Sequence, residues 1–369
     1  MSQSTTEIPV VDLGDISSPR SEVRERAAAQ IREGFGHFGL IYIRNHGVDM
    51  DRLESFYDAY LEFCAQPESE KQKMSTPSIW YQRGWTPPNT EKAVVAGGQP
   101  DFKECYFVTP EEPSEELQRE YPELYAKNIW PEGAPEFKEH YIELSRQLQQ
   151  VAAHLMRGSA LALGLAPHTL EGAVDGGPHV TRALRYIPLT TDQVDTDIVW
   201  GEEHTDFNLV TILPGGRFLD PDGNRCDKPD PDAGLYLRTR PTAEHPRGRK
   251  IQGKTPAGCI VAQVGQQLEI LTGGQFLATP HVVEAPNKAG YSRVAVAHFA
   301  HLHAHQHLFP LKPFQTEEST RGYGPRVLVG TYNLKTLVDI GLAPADALNR
   351  LGYTHYDRLG KMREEEDGK

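Results

Sequence analysis

A change of period near residue 179 constrains the fold of this chain more than any other feature. Upstream of it, apolar residues recur at helical spacing in three stripes: Val23, Ala27, Ile31, Phe35 and Phe38; Leu53, Phe56, Tyr57, Tyr60, Leu61 and Cys64; and Phe137, Tyr141, Leu144, Leu148, Val151 and Leu155. Steps of three and four residues put each set on one face of a helix. Gly39 stops the first helix, and Gly164 with Pro167 stops the third, which is predicted from about Glu136 to Leu163. Downstream, the chain breaks into short strand-like runs: "VTRALRYI", "FNLVTIL", "AGLYLRT", "CIVAQVG", "LEILTG", "VVEA" and "SRVAVAHF". Turn-forming Gly and Pro clusters separate them. Helices followed by many short strands predict an all-β barrel or sandwich resting on a helical layer. "IPVVDL", "LIYIRNHG" and "DFKECYFV" add strands to the first part, while the rest of residues 75–135 has no readable period. Residues 219–234 read as an extended surface loop, and the tail from about Leu334 to Lys369 reads as helical.

Composition narrows the function classes. The net charge of −13 spreads along the chain and gives no basic footprint for nucleic acid. Four widely spaced cysteines, with no C-x-x-C pair, read as reduced thiols of a cytoplasmic protein. No secretory leader and no apolar run long enough to span a bilayer is present. Oligomeric state is not encoded in any readable pattern.

The chemistry concentrates in "EEHTDFNLV" (202–210). His204 and Asp206 stand two apart in a strand-like run, so both would project to one face. An imidazole and a carboxylate suit Fe(II), Mn(II) or Zn(II), but a third ligand is required. Candidates downstream are His245, His281 and the run His298, His301, His303, His305 and His307. His281 begins an apolar strand in "LATPHVVEA", and a third ligand there would complete a facial triad with open coordination positions. Arg293, in the alternating "GYSRVAVAHF", offers a forked donor matched to a carboxylate.

With these motifs in place, the sequence resembles the 2-oxoglutarate and Fe(II)-dependent dioxygenases of the isopenicillin N synthase-like group. "IPVVDL" followed by "GFGHFGLIYIRNHGV" is similar to that family's N-terminal segment, and "PESEKQKM" follows where its next helix belongs. "HTDFNLVTIL", "GLYLR" and "VAQVGQQLEILTGGQFLATPHVV" resemble the iron-site segments, so the likeness runs from about residue 7 to about 310. The resemblance implies an α+β fold: a double-stranded β-helix (jelly-roll, cupin-like) core flanked by N-terminal helices and a C-terminal helical tail. It implies an N-terminal region 1–178, an oxygenase core 179–310 and a C-terminal extension 311–369, together one structural unit. It further implies that His204, Asp206 and His281 bind Fe(II), and that Arg293 holds the distal carboxylate of 2-oxoglutarate. Tyr186, in "RALRYIP", takes the place of a tyrosine that touches the same carboxylate. The reaction implied consumes 2-oxoglutarate and O2, releases succinate and CO2, and oxidises an unactivated C–H bond of a small molecule, such as an amino acid or natural-product intermediate. Hydroxylation, desaturation or ring formation would follow. Two alternatives within the fold are an Fe(II)/O2 oxidase that does not use 2-oxoglutarate and a non-catalytic ligand-binding member.

The chain departs from the family pattern at three places. Ala295 stands where a serine usually helps hold the cosubstrate, Leu184 replaces an asparagine, and the interval between Asp206 and His281 is long. Its surplus falls in the loops 219–234 and 240–255. The histidine-rich run 298–307 reads as a solvated strand face beside the pocket mouth, with a second metal site set aside. His46 reads as structural, and Arg182 and Arg185 as surface residues at the barrel edge.

Overall fold

The protein is described from a computed structural model covering residues 7–90, 102–194, 196, 198–239, 244–246 and 248–351. Each helical stripe becomes a helix with its apolar face inward: Ser21–Glu33, Met50–Cys64 and Pro135–Ala162. Asp49 caps the second by accepting from the Arg52 amide, satisfying one of its free N–H groups. The first helix runs on through a π-turn, Gly34–Phe38, and stops at Gly39 in the left-handed region (φ 66°).

Two main sheets carry most of the rest, and a two-stranded ribbon pairs His307–Leu308 with Val327–Leu328. The larger has ten strands, with the path Val10–Asp12, Leu40–Arg44, Ile260–Val264, Val210–Leu213, Ser292–Ala300, Val180–Tyr186, Lys103–Val108, Gly84–Thr86. Gly216–Leu219 and Arg225–Cys226 branch from the Ser292–Ala300 strand. The smaller sheet orders Lys250–Gln252, Gly234–Arg238, His281–Glu284 and Gly201–His204. Alternation along the strands decides what faces what. On Ser292–Ala300, Val294 and Val296 pack with the helices in the main core, whereas Ala295 and Ala297 pack with Leu184, Tyr186, Trp200 and Val283 between the sheets. The fold is therefore α+β, a jelly-roll with its helical layer on the outer face of the larger sheet. No helix among the described residues is long and apolar enough to cross a membrane.

The structure differs from the sequence-based expectations in four places. "LEILTG" is not a strand: Gln266–Leu271 is helical, burying Leu268 and Leu271, and it ends at Gly273 and Gly274, both at positive φ. Second, the strand carrying His204 stops there, and Asp206 lies beyond it. The two side chains nonetheless meet as read, with His204 Nε2 and Asp206 Oδ1 3.5 Å apart. Third, the histidine-rich run is neither one strand face nor uniformly solvated. The strand ends at Ala300; His298 and His301 are buried, while His305 is exposed and lies 2.5 Å from Glu120. Fourth, the arginines expected at the surface are half-buried. Arg185 pairs with the buried Glu104, which also takes Lys71 and the Trp85 indole N–H. Arg182 lies over the Phe107 ring and donates to Cys105 Sγ. At the C-terminal end, Val329–Asp339 and Ala345–Leu351 are helical, as read; residues 352–369 of that tail lie outside the described residues.

His298 and its neighbours form a buried network behind the sheet. His298 bonds Thr181 (2.8 Å) and Gln149 (2.8 Å), Gln149 bonds His179 (3.0 Å), and His179 accepts from the His301 amide (3.1 Å). Burial pushes His179 down to about 4, His301 down to about 3, and His298 well below the usual imidazole range. A base whose folded pKa is depressed leaves the unfolded chain binding more protons, so stability falls as pH drops below the unfolded value of about 6.5. The metal-free protein is expected to lose several kcal/mol between about pH 6.5 and pH 5, from three rings acting together. Thermal melts across that window check this. A Tm that stays flat until the carboxylates titrate would count against it.

Candidate active site

The site is assembled from the seam where the two sheets meet. His204 ends the outer strand of the smaller sheet, and His281 begins the neighbouring strand, directly opposite it in register. Their rings stand 4.4 Å apart, centroid to centroid. Asp206, buried, enters from the segment that leads into the Val210–Leu213 strand of the larger sheet. Its Oδ1 lies 3.5 Å from His204 Nε2 and 3.8 Å from His281 Nε2, and the three donor atoms all fall within 4.8 Å of one another. Adjacent ligands of one ion with bonds of about 2.1 Å stand roughly 3 Å apart, so this donor set is close to that required by a single divalent cation.

The atoms that do not face this point are held elsewhere. His204 Nδ1 is 2.7 Å from the Glu202 carbonyl, which fixes the proton on Nδ1 and leaves Nε2 as a donor pair. Asp206 Oδ2 accepts from the Thr211 hydroxyl at 2.6 Å, leaving Oδ1 forward. His281 Nδ1 is 3.3 Å from the Thr279 carbonyl and also touches the side-chain amide of Gln263, whose Oε1 is otherwise a buried atom without a partner. Turning that amide over lets Oε1 accept from Nδ1–H and leaves His281 Nε2 facing forward, so the orphaned oxygen finds its partner in the tautomer a metal needs. The His281 segment is also anchored from the N-terminal layer. Thr279 donates to Phe38 O (2.7 Å), and a Cβ on Gly39 would lie 2.2 Å from Leu277 O. Only a glycine allows the two segments to approach this closely.

Electrostatically, burial would raise the Asp206 carboxyl, but His281, His204 and Thr211 outweigh it and hold the group well below the usual carboxylate range. Burial pushes His281 down to about 4. A charged carboxylate beside a neutral imidazole is the protonation state in which both groups bind a cation.

Arg293 lies on the interior side of its strand, in register with Tyr186. Its guanidinium sits 5.6 Å from the Tyr186 ring and 5.7 Å from the Phe218 ring. The floor of this slot is Gly216, where a Cβ would lie 2.7 Å from Arg293 Nη2 and 2.8 Å from Nε. Gly216 pairs with Ala295, so the arginine side chain runs along its strand toward residue 295. Among the described residues Arg293 makes no ion pair. Two departures from the family pattern, Ala295 and Leu184, face each other across the strand pair, with Cys105 next in the row. An apolar pair stands where the family pattern is polar, and the Arg293 guanidinium lies beside it. Trp200, fully buried and stacked on Tyr186 at 5.2 Å, closes the wall behind it.

Of the other histidines considered as ligands, His298 and His301 belong to the buried network behind the sheet, and His303, His305 and His307 lie beyond the end of the strand; among the described residues the triad within reach of one ion is His204, Asp206 and His281, and His245 is not part of it. Thr211, Gln263 and Gly216 were not expected from the sequence. Thr211 carried a signal, since it follows Asp206 at a fixed short distance in "HTDFNLVTIL"; the other two are placed by strand register alone.

Residues 8–133 match the family model described as the N-terminal region of the non-haem dioxygenase in morphine synthesis. The chain is 29% identical over 311 residues to homoarginine-6-hydroxylase 2-ODD-233 of Oryza sativa subsp. japonica, covering 79% of this chain and 84% of that one. It is 24% identical over 312 residues to the 2-oxoglutarate-Fe(II) type oxidoreductase ppzC of Metarhizium majus, covering 80% and 77%. Among solved structures, a full-length Neurospora crassa protein crystallised in complex with alpha-KG aligns with a TM-score of 0.72 at 22% identity, over 91% of this chain and 98% of that one. A putative 2OG-Fe(II) oxygenase family protein of Caulobacter crescentus aligns with a TM-score of 0.73 at 22% identity, over 91% and 100%.

Proposed function

We propose that this chain is a 2-oxoglutarate and Fe(II)-dependent dioxygenase acting on a small molecule, with the following residues doing the work. His204, Asp206 and His281 hold Fe(II). Arg293, walled by Tyr186 and Phe218, anchors the distal carboxylate of 2-oxoglutarate. The observation that carries this reading is the convergence of three oriented donor atoms on one point, with the Arg293 guanidinium on the interior side of its strand.

When bound, Fe(II) supplies the activation of O2 that couples oxidative decarboxylation of 2-oxoglutarate to oxidation of a C–H bond, giving succinate, CO2 and oxidised substrate. The chain's residues prepare the place. Thr211, the Glu202 carbonyl and Gln263 fix which atom of each ligand faces forward. Three protein donors leave further coordination positions for cosubstrate and O2. The apolar faces of Leu184, Ala295, Ala297 and Trp200 keep water from the reacting centre. The substrate is a small molecule, in the class of amino acids or natural-product intermediates; a relative named for homoarginine hydroxylation supports that scale. Four cysteines outside any disulfide fit a cytoplasmic location.

Succinate release measured across a panel of amino acids and natural-product intermediates tests the proposal. Substrate-dependent succinate formation supports it, and substrate oxidation without 2-oxoglutarate consumption would favour the oxidase alternative. Gly216→Ala preserves the charge of Arg293 while displacing the guanidinium from its floor. It is expected to raise KM for 2-oxoglutarate about tenfold, roughly 1.4 kcal/mol, with Fe(II) affinity unchanged.

A further inference from the structure

The C-terminal helix Val329–Asp339 takes no part in the assignments above, yet two of its successive residues reach the turn that carries the metal ligands. Tyr332 donates its hydroxyl to Gln266 Oε1, and Gln266 Nε2 donates to Thr205 Oγ1 at 2.6 Å. Thr205 is the residue between His204 and Asp206. The Gln266 amide also donates to the Asp206 carbonyl at 2.8 Å, so one glutamine grips the turn at two consecutive residues. Beside it, Asn333 Oδ1 accepts from Gln267 Nε2 at 2.9 Å, and the Gln267 amide donates to Asn208 O at 3.0 Å. The helix is seated closely enough for this to be a fixed geometry: a Cβ on Gly330 would lie 2.5 Å from the Tyr121 ring, and Leu334 and Leu337 pack with Leu117, Tyr121 and Leu124.

We propose that Tyr332 is a positioning residue for the metal site, acting through Gln266 on Thr205 to hold the His204–Asp206 turn in its ligating shape. The inference rests on the triad binding Fe(II). The strand ends at His204, so beyond it the segment is oriented by Gln266, through its amide on the Asp206 carbonyl and its side chain on Thr205. Burial raises the Tyr332 phenol well above its ordinary range, so it stays a donor at every working pH.

Outer partners of metal ligands commonly change affinity about 10- to 100-fold when removed. Tyr332→Phe deletes one hydroxyl and is expected to weaken Fe(II) binding about tenfold in an anaerobic competition with a chromogenic chelator. Thr205→Val, which breaks the other end without touching the helix, should match it. Tyr332→Phe/Thr205→Val should be no weaker than either alone, since both cut one chain of bonds. Circular dichroism reports whether each variant is folded. Folded variants that hold Fe(II) as tightly as the parent overturn the brace, as does a strictly additive double variant. His204→Ala serves as the reference: if it too binds Fe(II) like the parent, the triad assignment has failed, which is a different result from failure of the brace.

Discussion

Asp206→Ala is expected to lower Fe(II) affinity at least about 1,000-fold and to abolish succinate formation, while the metal-free protein still folds, with a somewhat lower Tm than the parent. The two halves of this result have one cause. Asp206 is the only anionic ligand in the set, and its Oδ1 is the atom both imidazoles approach. Removing it leaves two neutral donors, which do not retain a hard or borderline cation. For the metal-free fold the same carboxylate is a buried charge whose desolvation the neighbouring rings and one hydroxyl outweigh, so its loss lowers Tm without unfolding the chain. Thr211 does not become an orphan either, since it also lies 3.2–3.3 Å from the Asn208 side-chain amide. A residue kept for stability would behave in the opposite way, lowering Tm with little change in metal binding. Chelator competition and differential scanning calorimetry on the same preparation separate the two.

Arg293→Leu should raise KM for 2-oxoglutarate about 100-fold, near 3 kcal/mol, with Fe(II) affinity unchanged and kcat at saturating cosubstrate within a few-fold. A guanidinium–carboxylate pair makes two parallel charge-assisted hydrogen bonds, and the apolar row Cys105, Leu184 and Ala295 supplies no substitute. Arg293→Lys keeps the charge but loses the fork, so an intermediate KM is expected. The double replacement Arg293→Leu/Ala295→Ser asks whether a hydroxyl at the usual family position recovers part of the loss. A KM for 2-oxoglutarate that does not move in Arg293→Leu would remove the arginine from the cosubstrate site.

How much of this was legible in the sequence depended on the range of the interaction involved. Periodicity marked the helices Ser21–Glu33, Met50–Cys64 and Pro135–Ala162 and most strands, because their buried faces repeat locally. It failed at Gln266–Leu271, where a short, largely apolar run is compatible with either period and the Gly265 turn decides the outcome. His204 and Asp206 were readable as a pair, and their side chains do meet, although the strand itself ends at His204. His298 and His301 looked solvated because their partners Gln149, His179 and Gln267 come from distant segments, which no local pattern announces. The same holds for Arg182, turned inward over Phe107 by the pairing of its strand with Lys103–Val108. Residues that hold the ligands, Thr211 and Gln263, became visible only with the register of the larger sheet.

The central claim, that one point between the sheets binds Fe(II) and 2-oxoglutarate together, is tested most directly by anaerobic titration of 2-oxoglutarate into the Fe(II)-loaded protein, followed by visible absorption. The account predicts a weak charge-transfer band that requires Fe(II), saturates with 2-oxoglutarate, is absent from Asp206→Ala and needs far more cosubstrate in Arg293→Leu. A folded, iron-loaded protein that shows no such band at any 2-oxoglutarate concentration would contradict it.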